Sequence, residues 1–277
     1  MFRGFYTAAS GMITQQRRTE MLSNNMANVN TPGFKSDQST LRAFPEMLLS
    51  QLNQTKTPTQ KNLTIPHSSF VGGVNTGVYM QETIPNFRQG DLRETGIKTD
   101  LALLDIDLPV NNEGESGTVL YTIQGPEGNI RYTRNGNFTV DGEGYLTTAS
   151  GLYVLDRNGN PIRTNTDQFV VDENGQVFAE GEFVSQLGIA YSANSHDLVK
   201  MGDGLYRMEN GRLPSAFTMN NVSFRVQQGF IERSNVDPAR TMTDMLTAYR
   251  AFEANQKVLQ AYDRSMEKAA NEVGRLN

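Results

Sequence analysis

Four carboxylates sit close together in "LALLDIDLPVNNEGE", at Asp105, Asp107, Glu113 and Glu115. Two carboxyl groups roughly 5 to 9.5 Å apart can cleave a glycoside, one as acid and the other as base or nucleophile. This stretch is therefore a candidate for glycan chemistry, although solvated surface carboxylates are much commoner. His67 and His196 are isolated; Asp197 follows His196, but no G-x-S-x-G elbow completes a hydrolase, and two histidines make no metal cluster. Asp156-Arg-Asn158-Gly159 and Asp172-Glu-Asn174-Gly175 open like calcium loops, yet the Asp-x-Asp-x-Asp-Gly order and the distal glutamate are missing, so they read better as hairpin turns. Gly72-Gly73 has no Lys-Ser/Thr and no helix behind it, which leaves a phosphate loop unsupported. With no cysteine there are no disulfides and no thiolate metal sites. No catalytic residue, metal ligand or cofactor is assigned, and the reading is of a protein that is not an enzyme.

The elements around these residues explain that reading. The chain has 277 residues and a net charge of −5 with both signs spread along it, so no electrostatic footprint for nucleic acid exists. The first residues contain no apolar leader core, and no run approaches the ~18 apolar residues of a membrane span. Composition alone suggests a soluble intracellular chain without membrane insertion.

Both ends carry narrow helical stripes. Phe2, Phe5, Tyr6, Ala9, Met12 and Ile13 recur at steps of three and four; the pattern resumes at Met21, Leu22, Met26 and Val29 until Pro32-Gly33 breaks it. At the other end Met242, Met245, Tyr249, Phe252, Gln256, Leu259, Asp263, Met266, Ala270 and Val273 form a heptad seam, with Asp237 placed as N-cap, Pro238 at the first helical position and Gly274 as terminator. Gln256 and Asp263 need partners that a dry seam does not give. A two-helix seam would give each narrow stripe something to bury against.

Four segments follow: 1–36, helix and Asn-rich exit; 37–77, a polar arm or linker; 78–226, an all-β domain; and 227–277, a return segment and heptad helix pairing with 1–36. In the β block, Asn135-Gly136 gives the type I′ hairpin signal, and Asp141-Gly142, Ser150-Gly151, Asn158-Gly159 and Asn174-Gly175 punctuate it at short intervals. Late strands are expected over 183–191 and 222–230. The fold class is thus a mainly β centre, sandwich-like or barrel-like and rich in hairpins, with terminal α-helices that pair as a coiled coil.

"YTAASGMITQQRRTEMLSNNMANVNTPGFK" (6–35), "QQGFIERSNVD" (227–237), "EANQKVLQAYD" (253–263) and the hairpin block "GNIRYTRNGNFTVDGEGYLTTASGLYVLDRNGNPI" together resemble the bacterial flagellar basal-body rod and hook family. Asp100-Leu101-Ala102 is kept, but the Gly-Asp-Gly-Phe-Phe strand usual after it in relatives of the distal rod protein is missing, which favours one of the paralogous, distal-rod-like rod proteins over a standard distal rod protein or a hook subunit.

The resemblance implies a structural subunit of the flagellar rod, exported unfolded by the flagellum's type III apparatus, located extracytoplasmically in the basal body and self-assembled for motility. Its partners would be copies of itself, neighbouring rod and hook proteins, and the export apparatus. The expected assembly residues are Tyr6, Ala9, Met12, Ile13, Asn24, Asn25, Asn28, Asn30, Pro32, Gly33, Met242, Met245, Tyr249, Phe252, Leu259 and Met266. The alternatives are a hook subunit and, from another class, an extracellular β-rich protein that binds or cleaves glycans with the carboxylates named above.

Overall fold

The computed structural model describes residues 2–56, 64–111, 114, 116–126, 128–209, 211–219 and 221–273. Glu113, Glu115 and Gly274 lie outside them. In chain order the elements are helix α1 (Phe2–Ala27) and strands β1 (Asp37–Ala43), β2 (Met47–Lys56), β3 (Thr64–Val74), β4 (Val78–Pro85), β5 (Leu92–Glu94), β6 (Leu101–Asp107), β7 (Thr118–Gln124), β8 (Ile130–Thr133) and β9 (Phe138–Val140). They continue with β10 (Leu146–Thr148), β11 (Val170–Val171), β12 (Gln176–Ala179), β13 (Glu182–Gln186), β14 (Ile189–Ser192), β15 (Leu198–Gly202), β16 (Leu205–Met208), β17 (Ser223–Gln228), β18 (Phe230–Glu232) and helix α2 (Pro238–Lys268). The chain divides into two compact units, one of Met1–Ser23, Ser39–Thr83 and Met242–Asn277, the other of Asn24–Gln38 and Ile84–Thr241.

The first unit holds most of both helices and the strands between 39 and 83. Strands β2 and β3 form a long antiparallel ladder from Met47↔Val74 to Lys56↔Thr64, with a bulge after Leu49, while β1 pairs with β4. Much of the segment read as a polar arm is thus a two-stranded antiparallel ladder, whose inward backbone groups pair across the strands while the outward ones face away from them. Helix α1 is tied to the start of β4 through side chains. Thr7 Oγ1 donates to Thr76 O at 3.1 Å, Thr14 Oγ1 to Val78 O at 3.1 Å, and Val78 N donates to Ser10 Oγ at 3.3 Å.

The second unit is a β assembly around one five-stranded antiparallel sheet ordered β14-β7-β8-β16-β15. Alternation in β7 buries both faces of this sheet. Val119, Tyr121 and Ile123 join Leu101, Leu103, Phe138, Leu146, Phe169 and Leu187 in the larger core, while Leu120 turns to a smaller one with Phe87, Tyr132, Leu198 and Tyr206. The sheet is open, with β14 and β15 at its edges, so the barrel-like expectation gives way to an open sheet among the described residues. The expected late strand over 183–191 is two strands, because the chain changes partners at Leu187-Gly188: β13 pairs with β12 in a three-stranded sheet and β14 with β7 in the five-stranded one.

Three of the Gly-punctuated turns share one mechanism. Asp141 Oδ1 accepts from the N–H groups of Glu143 and Tyr145, Asp156 Oδ1 from Asn158 and Asn160, and Asp172 Oδ1 from Asn174 and Gln176. Each turn closes with a glycine at positive φ, Gly144, Gly159 and Gly175. Asn135-Gly136 is different: β8 pairs with β7 and β16, β9 pairs with β10, and no β8–β9 hairpin forms. Gly136 instead lets two backbones touch, its carbonyl accepting from Leu101 N at 2.9 Å where any Cβ would collide with Leu101 O.

Candidate assembly site

The Asn-rich exit of α1 is an internal joint in the second unit. Asn25 is buried and its amide grips the backbone of Asp37 in both directions, Nδ2 donating to Asp37 O and Oδ1 accepting from Asp37 N, each at 2.9 Å. Asn28 Nδ2 returns to Asn24 O at 2.9 Å, a carbonyl that also accepts from Asn28 N, and Asn28 Oδ1 accepts from Thr31 Oγ1, so the Asn28 side chain ties the last helical turn to the residues that follow it. Asn24 and Asn30 are exposed, and Pro32 is half-buried. Gly33 has φ +67°, and a Cβ there would stand 2.5 Å from Asn135 N.

From Gly33 onward this segment is clasped to "GFIERSN", 229–235. Gly33 N donates to Glu232 O at 2.8 Å, Ser36 N to Asn235 Oδ1 at 2.7 Å, and Asn235 Nδ2 to Asn86 O at 2.7 Å and Arg88 O at 3.0 Å. Phe34 is buried, with the Lys200 ammonium 4.2 Å from its ring centroid, and Lys200 also pairs with Asp37 at 2.9 Å.

Beneath the clasp lie two cations and two anions. Lys35 Nζ meets Glu232 Oε1 at 2.7 Å and donates to Arg88 O at 3.0 Å. Arg134 donates through Nε to Glu232 Oε2 at 2.5 Å, through one terminal nitrogen to Asp105 Oδ1 at 3.0 Å and Val119 O at 2.6 Å, and through the other to Leu103 O at 2.9 Å. Gly90 N gives Glu232 Oε1 a further donor at 2.8 Å. Burial, reinforced by the Arg134 charge, lowers the Lys35 pKa to about 8 despite Glu232. For Glu232 burial works against the charge, but Arg134 and Lys35 outweigh it and hold the carboxyl below the ordinary value. Asp105 is pushed up by burial, against the pull of Arg134. Asp105 is thus tied to a buried guanidinium, Asp107 stands exposed on β6, and Glu113 and Glu115 lie outside the described residues.

In the first unit the terminal helices meet through small residues. A Cβ on Gly4 would run into the Tyr262 hydroxyl, and one on Gly11 would stand 2.9 Å from Asn255 Nδ2. Seven residues forward on α1 correspond to seven backward on α2, so the contact is antiparallel. Asp237 Oδ1 caps α2 by accepting from Ala239 N at 2.9 Å and Arg240 N at 3.1 Å. Of the seam read from the sequence, Met245, Phe252, Leu259 and Met266 are half-buried, whereas Met242 and Tyr249 are exposed. The covered stripe adds Ala248, Asn255 and Tyr262, and at 100° per residue its centre lies about 50° round from the heptad seam. On α1, Ala9 and Met12 are half-covered while Tyr6 and Ile13 are 66% and 49% exposed. Sequence reasoning missed Arg134, Glu232, Lys35 as a buried ion, and the Gly4 and Gly11 contacts. The available signal for Arg134 was its position two residues past Tyr132, in phase with an inward-facing side chain.

Three family patterns match the chain: "Flagella basal body rod protein" over residues 5–35, "Flagellar hook protein FlgE/F/G D1 domain" over 116–179, and "Flagellar basal body rod FlgEFG protein C-terminal" over 227–272. The chain is 45% identical to the flagellar hook-basal body complex protein FlhO of Bacillus subtilis, with all of both chains covered. It is 31% identical to the flagellar basal-body rod protein FlgG of the same organism, over 98% of this chain and 99% of that one. With FlgF of Caulobacter vibrioides it shares 30% over the full length of both. The exit motif, the clasp to 229–235 and the closing helix fall inside these matched segments, and the chain belongs to the flagellar basal-body rod protein family.

Proposed function

We propose that the protein is a non-enzymatic structural subunit of the flagellar basal-body rod, exported by the flagellar type III apparatus and polymerised with copies of itself or neighbouring rod and hook proteins. The observation that carries the assembly mechanism is the division of each terminal helix into two faces. One face of α1, through Gly4 and Gly11, meets Tyr262 and Asn255 of α2. Elsewhere Tyr6 and Ile13 on α1, and Met242, Leu246 and Tyr249 on α2, remain 48 to 66% exposed. Met242, Leu246 and Tyr249 lie at i, i+4 and i+7, a second apolar stripe about 120° round from the covered one.

In this reading the covered faces pair as an intramolecular coiled coil and the open stripes bury against neighbours, so that the ends gain full order on assembly. Asn24 and Asn30, exposed beside the joint, would bond across the same contacts. Segments 1–36 and 227–277 would form the polymerising part and 78–226 the outward β part. The test is to express the chain in a strain lacking it and purify basal bodies: co-purification in the rod fraction is expected, and its absence from intact basal bodies would refute the assignment.

A further inference from the structure

Among the described residues of the second unit, the strands of residues 92–107 have no ladder partner except late ones, apart from an isolated Asp100↔Asn137 bridge beside β6. β5 pairs only with β18, over Leu92↔Glu232 to Glu94↔Phe230, and β6 only with β17, over Leu101↔Gln228 to Asp107↔Ser223. The same late segment reaches a third region. Val226 N donates to Glu173 O at 3.0 Å, Val171 N donates to Gln228 Oε1 at 3.1 Å, and Gln228 Nε2 donates to Phe169 O at 2.9 Å and Lys98 O at 2.7 Å. Gly229 closes the join, its N–H donating to Asp100 O and its carbonyl accepting from Thr95 N, both at 2.8 Å.

The charge balance points the same way by a separate route. Arg134 follows β8 directly and bonds the carbonyls of Val119 in β7 and Leu103 in β6, so it lies inside the unit. Lys35 is fully buried beside it. Without Glu232 these two buried cations share one carboxylate, Asp105, which already faces Arg134. A buried charge without its partner opposes closure strongly. Both the missing ladders and the missing anion are supplied by one short segment.

We propose that residues 223–232 are a folding key: the second unit, including its five-stranded sheet, does not close until this segment is in place. A chain whose late residues are not yet free then stays extended through most of its length. That state suits delivery through a narrow conduit, a consequence that rests on the proposed function, although the folding order itself does not.

The experiment is pulsed hydrogen exchange during refolding of the full-length chain. Amides of β7, β8 and β16 should gain protection in the same kinetic phase as those of β17 and β18. Protection of the five-stranded sheet in an earlier phase overturns the proposal. Refolding rates give a second readout. Glu232→Gln should slow refolding threefold or more, and Lys35→Met/Glu232→Gln, which removes the surplus cation, should recover part of that loss. A Glu232→Gln chain whose refolding slows less than threefold, the loss appearing as faster unfolding, equally overturns it. Should Glu232→Gln fail to fold at all, the exchange experiment on the unaltered chain still decides the order. Neither result bears on whether the protein is found in the rod.

Discussion

Lys35 and Glu232, 197 positions apart in the chain, meet at 2.7 Å with both side chains buried, and Arg134 holds the other oxygen of the same carboxylate. One carboxylate thus serves two cations contributed by the first and middle parts of the sequence. Removing the anion is therefore worse than removing one cation. Glu232→Gln leaves Lys35 and Arg134 facing each other and should destabilise by about 3 to 5 kcal/mol. Lys35→Met leaves the Arg134–Glu232 pair intact and should destabilise less. Equilibrium denaturation of both full-length variants checks the order; equal losses would contradict it.

The pH dependence follows from the same pair. The folded Lys35 value, about 8, lies below the unfolded value of ~10.4, so between these limits the unfolded chain binds more protons and stability rises with pH. The gain is on the order of 3 kcal/mol across the window and is absent in Lys35→Met. Glu232 has the opposite edge: its lowered value contributes stability that is complete above the unfolded ~4.3 and is lost as pH falls through the folded value. Stability curves of wild type minus each variant, taken from pH 3 to 10.5, isolate the two edges.

Gly33 should tolerate no side chain. Its φ of +67° disfavours any Cβ, and the Cβ would also stand 2.5 Å from Asn135 N and 2.6 Å from Arg134 C, backbone atoms that cannot rotate away. Left-handed strain of ~1 to 2 kcal/mol and overpacking of ~1 to 3 kcal/mol add to roughly 2 to 5 kcal/mol for Gly33→Ala. Gly159→Ala, at φ +89° with nothing within 4 Å, should show the strain alone. The difference between the two midpoints in urea measures the close approach.

These cases show what the sequence could and could not disclose. Local devices were legible because their cause lies within a few residues: the Asp237-Pro238 start of α2 and the Asp-x-x-Gly turns. The end of α1 was legible less closely, since the helix stops at Ala27, five residues before the Pro32 read as its breaker. Asn135-Gly136 misled because the same dipeptide serves a hairpin or a close backbone approach, and only the distant Leu101 decides which. Pairing of β17 with β6, and the meeting of Lys35 with Glu232, depend on parts of the chain more than a hundred residues apart. No local pattern encodes them. Met242 and Tyr249 fit the heptad spacing yet stand exposed, because spacing alone fixes a stripe's direction only to within tens of degrees.

Tyr249→Asp should separate assembly from folding. Tyr249 is 53% exposed on the free chain, so the charge adds little cost there, whereas burial against a neighbour in a polymer would demand several kcal/mol of desolvation. Urea stability is expected to change by less than ~0.5 kcal/mol, with incorporation into basal bodies lost. Phe252→Asp, on the half-buried stripe, should lose incorporation and also loosen the helix contact, while the β unit stays folded. Normal incorporation of Tyr249→Asp would remove the exposed stripe from the assembly surface.

The antiparallel register of the terminal helices can be read covalently, since the chain contains no cysteine to interfere. Gly11 and Asn255 face each other closely enough that a Cβ on Gly11 lies 3.4 Å from the Asn255 side-chain carbon Cγ. Gly11→Cys/Asn255→Cys should therefore form an intramolecular disulfide under mild oxidation, seen as a faster-migrating monomer and a mass loss of about two hydrogens. Gly4→Cys/Asn255→Cys offsets the pair by seven residues, about 10.5 Å along a helix at 1.5 Å per residue. That lies beyond the ~7 Å Cα separation a disulfide tolerates. The control should stay reduced as a monomer. If both pairs close equally fast, the helices slide past one another instead of holding this register. Oxidation of the first pair alone would fix the covered face of α2, and with it the direction in which Met242, Leu246 and Tyr249 are offered to a neighbour.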